Sequence, residues 1–507
     1  MIRNKIRFFT ALAVLLLCLT VTAYAQEAEY GDAAVETAGF DAPGRVCDGS
    51  RSTYATAAEA GTVTVSRGGG IGALYIEFDD TPQAWTLTDP QSGKSVACGQ
   101  NAFLHEFVDV AALWGGLPET LTLSFAAGTA IAELYVFSDG ELPGWVQQWQ
   151  PPCETADLLL VSSHSDDEQL FFAGVLPYYA VERGLNVQVA YVVQHFRVYN
   201  ERNHQRPHEQ LDGLWTVGVR NYPVMSEFPD LYSESKDRAA ALSRAVSVYE
   251  GAGFTYDDFV DYFTWCIRRF RPLVVVSHDL NGEYGHGTHV LCAAALTDAI
   301  ACAADEAQYP DSAAAYGAWT VEKTYLHLYP ENQIIMDFDT PLESLGGKTA
   351  FQVTQEGFAC HKSQHWTWFY KWIYGTDANP IRKAADVKGY SPCSYGLYDT
   401  QVGPDTVGGD FFENVVTYAQ RAQAAKEEEE ARLAAEETAA RALAESERAQ
   451  AEAEKARAEA EAAAEAEAER EEASVFDWIG AGLLAAAVCA ALIIVLAVRR
   501  GRRSSGR

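Results

Sequence analysis

The sequence predicts an α/β protein in which a parallel sheet carries helices on both faces, with further domains before and after it. Three observations support this prediction. Short β-like segments fill the first part of the chain, apolar segments of strand and helix length alternate in the middle, and Ala, Glu and Arg dominate a long stretch near the end. A chain of 507 residues is also too long for one ordinary domain.

The first segment, residues 1–25, has the pattern of a signal peptide. Basic residues precede an apolar run at residues 8–19, and Ala23-Tyr24-Ala25 offers the small residues that a signal peptidase needs. A retained membrane anchor is the alternative, but the apolar run is short for a membrane-spanning helix.

Residues 26–150 contain β-like runs at 61–66, 71–78, 121–125 and 131–137, separated by Gly, Pro, Asp and Asn. This spacing predicts a β-sandwich domain. The sequence DGSRSTY, which begins at Asp48, resembles the early turn of discoidin-like, galactose-binding-like domains. That resemblance implies glycan or surface binding, whereas a packing and spacer role without a ligand is the alternative.

Residues 151–415 alternate apolar strands with helices and therefore predict a Rossmann-like sheet covered on both faces. Strands are predicted at residues 157–162, 187–193 and 273–277. Helices are predicted at residues 169–183 and 259–270. In such sheets ligands bind beyond the carboxyl ends of the strands.

Residues 416–474 consist mainly of strong helix formers and contain neither Pro nor Gly. Large apolar residues are scarce here, so the segment predicts a stalk that is either a single solvated helix or a loose coiled coil. A coiled coil would let chains self-associate.

Residues 475–498 are almost wholly apolar, which matches the ~20 residues that a helix needs to cross a bilayer. Residues 499–507 form a basic tail, and basic tails stay on the cytoplasmic side. The sequence therefore predicts a single-pass membrane protein whose globular part is extracellular, at a bacterial cell surface.

The net charge restricts the possible binding partners, and the cysteine content bears on disulfide formation. The formal net charge is −32, which argues against nucleic acid as a partner. Eight cysteines lie outside the two apolar segments, and an even number in an exported protein predicts disulfides without fixing their pairing.

Histidine and carboxylate side chains follow two of the predicted strands. The first segment is SHSDDE at residues 163–168, and the second is SHDLNGEYGHGTH at residues 277–289. Parallel strands end at one edge of a sheet, so both segments are expected to meet there. His164, one of the two aspartates and a histidine of the second segment would supply the three ligands of a catalytic Zn²⁺.

These two segments resemble the motifs of the LmbE/PIG-L deacetylases, AHPDDE and a GHxxH-type sequence. The resemblance covers most of residues 155–370. The sequences at 206–209 (RPHE), 228–230 (FPD) and 361–364 (HKSQ) are similar to further parts of the family pattern.

The resemblance implies a role for each matching position. The implied Zn²⁺ ligands are His164, Asp167 and His289. Asp166 would be the general base, and Arg206 would contact the substrate. His286 would stabilise the oxyanion and could protonate the leaving amine. The chain has Ser163 and Ser165 where the family has Ala and Pro, so a rigid turn is lost but no ligand is.

The activity implied by the resemblance is removal of acetyl from an N-acetylated amino sugar, a GlcNAc-type glycan or glycoconjugate, by metal-activated water. Two alternatives stay open. One is a cell-surface glycan-binding protein with a relic deacetylase fold, and the other is a zinc amidase that acts on a non-sugar amide.

Plainer interpretations compete for individual residues. Asp166, Asp167 and Glu168 could cap the following helix, because acidic residues favour a helix N-terminus. His286 and His289 could be ordinary loop residues. The tryptophans at 366, 368 and 372 could contact sugar, although this spacing is more typical of core residues.

Overall fold

A computed structural model of the chain describes residues 26–100, 103–194 and 201–501. The predicted signal peptide, residues 1–25, lies outside the described residues, as do the last residues of the predicted basic tail, 502–507. The chain divides into two compact units, Met1–Thr417 and Tyr418–Arg507.

The first unit begins with an eight-stranded antiparallel sheet. Its strands are Ala34–Phe40 (β1), Ala55–Ser66 (β2), Ala73–Phe78 (β3), Trp85–Thr88 (β4), Ser95–Cys98 (β5), His105–Asp109 (β6), Thr120–Phe125 (β7) and Ala130–Phe137 (β8). The order is β5-β4-β7-β2-β8-β3-β6, with β1 beside β2. A short helix, Val110–Trp114 (α1), follows β6. All four strands predicted in this region are confirmed as parts of β2, β3, β7 and β8.

One hydrophobic core is shared by the two halves of this sheet, which are the strands from β5 to β2 and the strands from β2 to β6 in the order above. Val63 of β2, Leu74 of β3 and Trp85 of β4 belong to the same buried cluster. The long strand β2 pairs with β7 along one part and with β8 along another, so it joins the halves.

The second sheet has seven strands in the order β11-β10-β9-β12-β13-β17-β14. They are Leu158–Ser162 (β9), Val187–Gln194 (β10), Val224–Pro229 (β11), Val274–Ser277 (β12), Lys323–His327 (β13), Gln333–Ile335 (β14) and Ser394–Thr400 (β17). The five strands from β11 to β13 are parallel, whereas β17 runs antiparallel to both of its neighbours. A separate two-stranded ribbon consists of Gly375–Thr376 (β15) and Asn379–Pro380 (β16).

The α-helices of this part of the chain are Asp167–Leu170 (α2), Glu201–Thr216 (α3), Arg238–Gly251 (α4), Tyr256–Phe270 (α5), Gly287–Ala303 (α6), Pro310–Tyr316 (α7), Ala350–Phe358 (α8) and Trp368–Tyr374 (α9). Leu159 and Val161 of β9 share a buried cluster with residues of α4, α5 and α6. Leu158 and Leu160 point to the opposite face and are equally buried. The central strand is therefore covered on both faces.

The helix predicted at residues 169–183 is wrong as a single element. The chain leaves the helix after α2, and a π-helical turn, Pro177–Glu182, follows later. Gly174 lies between them at φ 95, where a Cβ would stand only 2.2 Å from the Phe338 ring. The close approach of Phe338 and the proline thus break the helix.

The predicted disulfides are also wrong for the part of the chain that the structure describes, where every cysteine is free. The cysteines are distributed over separate cores. Cys98 belongs to the core of the first sheet, whereas Cys153, Cys266 and Cys292 belong to the cluster beside β9. There each behaves as a small apolar side chain.

Side chains of the first sheet contact helix α3 of the α/β part. Arg51 places one guanidinium nitrogen 2.6 Å from Glu77 in β3 and another 2.6 Å from Asp212 in α3. Imidazole Nε2 of His105 lies 2.8 Å from Nδ1 of His208, also in α3. Arg51 stands in the turn that resembles discoidin-like domains, so this turn serves packing at least in part.

The second unit contains one continuous helix, Tyr418–Gly501 (α10). Ion pairs such as Arg432 with Glu436 and Lys426 with Glu430 link successive turns. By length and composition, its apolar part is able to cross a membrane. Leu433 and Leu443 are exposed along the helix.

Candidate active site

The two segments singled out in the sequence meet at one edge of the second sheet. Strands β9 and β12 are parallel neighbours, with Val274 opposite Leu158, so the loops that follow them emerge side by side. The backbone N–H of Ser163 donates a 2.8 Å hydrogen bond to Nε2 of His278, which joins the two loops directly.

Three donor atoms from these loops converge on one point. Nδ1 of His164 lies 3.0 Å from Oδ2 of Asp167 and 3.2 Å from Nε2 of His289. The distance between His289 Nε2 and Asp167 Oδ2 is also 3.2 Å. Ligand atoms of a tetrahedral Zn²⁺ lie about 3.3 Å apart for bond lengths near 2.0–2.1 Å. All three side chains are buried, and their spacing fits one divalent cation.

The proton positions of the two imidazoles fit the same interpretation. His289 donates its Nδ1–H to Glu283 over 2.7 Å, which leaves Nε2 as the lone pair that faces the cluster. Nε2 of His164 lies 3.5 Å from Asp230, and Nδ1 faces the cluster. A metal-binding histidine usually has its second nitrogen oriented by a carboxylate in this way.

The carboxylates of Asp167, Asp230 and Glu283 favour a positive charge where the three donor atoms meet. Burial lowers the pKa of His164, but Asp167 and Asp230 outweigh it and raise this pKa to about 10. Burial likewise lowers the pKa of His289, while Asp167 and Glu283 raise it to about 9. A divalent cation would supply the same charge in place of protons.

Glu283 is a site residue that the sequence interpretation missed. Its carboxylate accepts Nδ1–H bonds from His278 (2.8 Å) and His289 (2.7 Å), and it lies 2.6 Å from Nδ1 of His327. The residue is fully buried. The signal was present, because an acidic residue stands between the histidines of the second segment, and histidine ligands need such partners.

Asp166 occupies an unusual backbone position beside the donor cluster. Its φ is 134, a region that non-glycine residues adopt rarely and at a cost of about 1–3 kcal/mol. Its N–H donates to Glu168 over 2.9 Å, and its carboxylate lies 3.1 Å from the Arg206 guanidinium. Burial raises the pKa of Asp166 to about 7, although Arg206 opposes the shift.

Arg206 in α3 lies at the site, where its guanidinium contacts protein groups. One guanidinium nitrogen donates to the carbonyl of Ser165 over 2.8 Å, and another lies 3.6 Å from Asp230. Asp230 follows β11 at the same sheet edge, so its position in sequence could have revealed it. Arg206 thus holds the carboxylates of Asp166 and Asp230 in place.

His286 lies against the donor cluster, with its ring centre 4.8 Å from that of His164 and 4.7 Å from that of His289. Its Nδ1 is buried without a hydrogen-bond partner among the described residues. Burial and the two neighbouring imidazoles hold the pKa of His286 well below its ordinary value. The ring is therefore neutral, and one nitrogen is available to a bound molecule.

Comparison with known proteins gives one family match. Residues 159–300, which include both site segments, match the family described as PIG-L: GlcNAc-PI de-N-acetylase.

Curated relatives and solved structures carry related names. A 1D-myo-inositol 2-acetamido-2-deoxy-alpha-D-glucopyranoside deacetylase of Geodermatophilus obscurus is 35% identical over 95 residues, 19% of this chain and 31% of that protein. The protein of the same name from Rhodococcus jostii is 29% identical over 180 residues, 33% of this chain and 60% of that protein. The chain thus spans less than two thirds of either relative. The solved N,N'-diacetylchitobiose deacetylase of Pyrococcus horikoshii shares 14% identity, with 49% of this chain and 85% of that chain covered and a TM-score of 0.33.

Proposed function

From the match of residues 159–300 to the family described as PIG-L: GlcNAc-PI de-N-acetylase, we propose that this chain is a zinc-dependent N-deacetylase of an N-acetylated amino sugar. The single observation that carries the proposal is the convergence of the His164, Asp167 and His289 donor atoms within 3.0–3.2 Å of one another. The names of the two curated relatives, both deacetylases of an acetamido sugar, support the substrate class.

The choice of zinc follows from the donor set. Two imidazole nitrogens and one carboxylate oxygen are the ligands of many catalytic zinc sites, which leave a fourth position open. Two groups of buried residues, one of His164, His286 and His289 and the other of Asp167, His278 and His289, each have their donor atoms within 4.8 Å of one another, and the assigned ligands are drawn from both. We assign the cation to His164, Asp167 and His289, because Nε2 of His278 already accepts the Ser163 N–H.

A cation bound there would lower the pKa of a water molecule and polarise the amide carbonyl. Asp166 would take the proton from this water, and its pKa near 7 suits a base that works at neutral pH. Arg206 keeps the Asp166 carboxylate in position. The water oxygen bonds to the acyl carbon, which leaves negative charge on the carbonyl oxygen, and the carbon–nitrogen bond breaks when that charge returns to re-form the carbonyl.

His286 is suited to the charge that develops on the carbonyl oxygen. The neutral, buried imidazole has a nitrogen without a partner among the described side chains, so it can hydrogen-bond this oxygen as it becomes negative. The proton that Asp166 has received passes to the leaving nitrogen, which yields acetate and a free amine.

The remaining parts of the chain fit a surface enzyme. We infer that the first eight strands form a β-sandwich beside the Rossmann-like sheet, and that the apolar part of α10 anchors the protein. Arginines after the apolar segment would place that end in the cytoplasm and the enzyme outside.

The test uses the full chain, purified in detergent. Bound metal is measured by mass spectrometry, and amine release is measured on N-acetylated oligosaccharides and on non-sugar acetamides. We expect about one zinc per chain, amine release from the sugars, loss of activity with a chelator and recovery with Zn²⁺. Glycan binding without zinc would indicate a relic fold instead, and turnover of non-sugar amides alone would indicate a different amidase.

A further inference from the structure

Aromatic rings lead from the donor cluster to the protein surface. The ring of Tyr284 lies 5.5 Å from His286 and 5.6 Å from His289, and on its other side 5.7 Å from Trp368. Trp368 is 48% exposed and also contacts Phe369, at 4.1 Å between ring centres. The exposed Trp368 is thus connected to the histidines of the predicted reaction centre through a single ring, that of Tyr284.

The backbone of Tyr284 is held in an unusual conformation to reach this position. Its φ is 49, and it is flanked by Gly285, whose φ is 80. A Cβ on Gly285 would stand 2.3 Å from the Ser235 carbonyl oxygen. The loop therefore depends on a glycine, and its strain presents the tyrosine ring between the imidazoles and Trp368.

Basic residues accompany this aromatic surface. Residues 361–390 contain five Lys or Arg and two Asp, a formal charge of +3 in a chain whose net charge is −32. Lys371 is exposed on α9, three residues after Trp368 and so on the same helix face. The backbone of Lys388, also exposed, accepts a 3.1 Å hydrogen bond from the Trp372 indole.

Neither lysine forms an ion pair with another of the described residues. Tyr390, two residues after Lys388, contacts the Tyr284 ring at 6.4 Å, so the lysine segment borders the same surface. Tyr232, an exposed ring that contacts His286, donates its hydroxyl to the acidic Glu234. Two exposed lysines thus accompany the tryptophan.

We propose that Trp368, Lys371 and Lys388 form a subsite for a sugar ring next to the acetylated one, and that this neighbouring sugar carries an anionic group. This inference rests on the proposed function and narrows its substrate class to acidic oligosaccharides. The tryptophan face packs against the apolar face of the sugar ring, and the two ammonium groups meet its negative charge.

The probes are chosen to differ in one property at a time. They are the methyl glycoside of N-acetylglucosamine, a tetrasaccharide of alternating N-acetylglucosamine and glucuronate, and the same tetrasaccharide with its carboxyl groups reduced to alcohols. For the metal-loaded full chain we expect kcat/KM to rise about fivefold from the monosaccharide to the reduced tetrasaccharide, which is the scale of one aromatic contact. A further rise of about fivefold is expected for the acidic form, and 1 M salt should remove it.

Variants separate the two contributions. Trp368→Ala should bring the reduced tetrasaccharide to the level of the monosaccharide, and Trp368→Phe should restore most of the difference. Lys371→Gln with Lys388→Gln should abolish the preference for the acidic form. Lys348→Gln, an exposed lysine paired with Glu356 elsewhere, is the matched control and should keep it.

Binding distinguishes failure of the subsite from failure of the proposed function. Calorimetry with the Asp166→Asn chain measures the affinity for the same three probes. Preferential binding that depends on Trp368 and the lysines, without turnover by the wild type, would reject the deacetylase and retain the subsite. Equal affinity or equal kcat/KM for all three probes would overturn the subsite.

Discussion

Glu283 and His289 are joined by a 2.7 Å hydrogen bond from the imidazole Nδ1–H to the carboxylate, and both side chains are fully buried. The bond fixes which nitrogen of His289 faces Asp167. The same carboxylate contacts His278 and His327, so one acidic residue orders three histidines around the candidate metal site.

Replacement of Glu283 by Gln should weaken metal binding about 10- to 100-fold, because the amide no longer holds His289 as a carboxylate does. Competition with a chromogenic chelator measures the zinc dissociation constant. Glu356→Gln changes an exposed glutamate and serves as the control. An unchanged dissociation constant in a folded Glu283→Gln chain would refute the orienting role.

Replacement of Asp166 and replacement of Asp167 should have different effects on zinc binding and on kcat. Asp166→Asn should keep zinc and lose about 10²- to 10⁴-fold in kcat, the usual contribution of a general base. Asp167→Asn should lose zinc, because one of three ligands becomes a weak neutral donor. Metal content and single-turnover rates are measured on both variants, with the exposed Asp139→Asn as control. Equal zinc loss in the two variants would contradict the division of roles.

The sequence predicts the site better than it predicts the chain around it. His164, Asp167 and His289 follow apolar strands of clear length, and parallel neighbours must end at one edge, so their meeting is predictable. Glu283 and Asp230 also stand in or beside the site segments, but which histidine each carboxylate contacts becomes clear only when the three loops are folded together. Local pattern also fails at residues 169–183, where the approach of Phe338 to Gly174 breaks an otherwise helical run.

Removal of Arg51 should destabilise the first unit. Its guanidinium is the cation between Glu77 and Asp212, and Arg51→Ala would leave Glu77, which is 3% exposed, beside another carboxylate. Breaking such a pair costs about 3 kcal/mol. Thermal unfolding of the full chain should show a lower midpoint for the transition of this unit.

Two comparisons make the Arg51 result specific. Arg51→Lys should recover only part of the loss, because an ammonium cannot bind both carboxylates with a planar fork. Arg45→Ala removes an exposed arginine of the preceding 3-10 turn, Pro43–Cys47, and should change the free energy of unfolding by no more than about 0.5 kcal/mol. An Arg51→Ala midpoint equal to that of Arg45→Ala would show that the bridge adds no stability.

The contact between the first sheet and α3, called the junction below, also contains the histidine pair His105 and His208. This pair predicts a loss of stability in acid. Nδ1–H of His105 donates to Gln147 Oε1, which also accepts the Trp149 indole N–H, so Nε2 of His105 must accept from His208. Burial lowers the pKa of His105, and Arg51 adds to the shift while Glu77 and Asp212 oppose it. The folded chain therefore holds this imidazole neutral where the unfolded chain would protonate it.

The sign of the effect follows from that difference. The stability that depends on neutral His105 is present above the unfolded pKa of about 6.5 and is lost as the pH falls below it, since only the unfolded chain gains the proton. The unfolding midpoint of the first unit should therefore decrease from pH 8 to pH 5. His105→Gln, which has no proton to gain, should show a smaller decrease, whereas His365→Gln, outside the junction, should follow the wild type. If wild type and His105→Gln lose the same stability over this range, protonation of His105 is not what weakens the junction in acid.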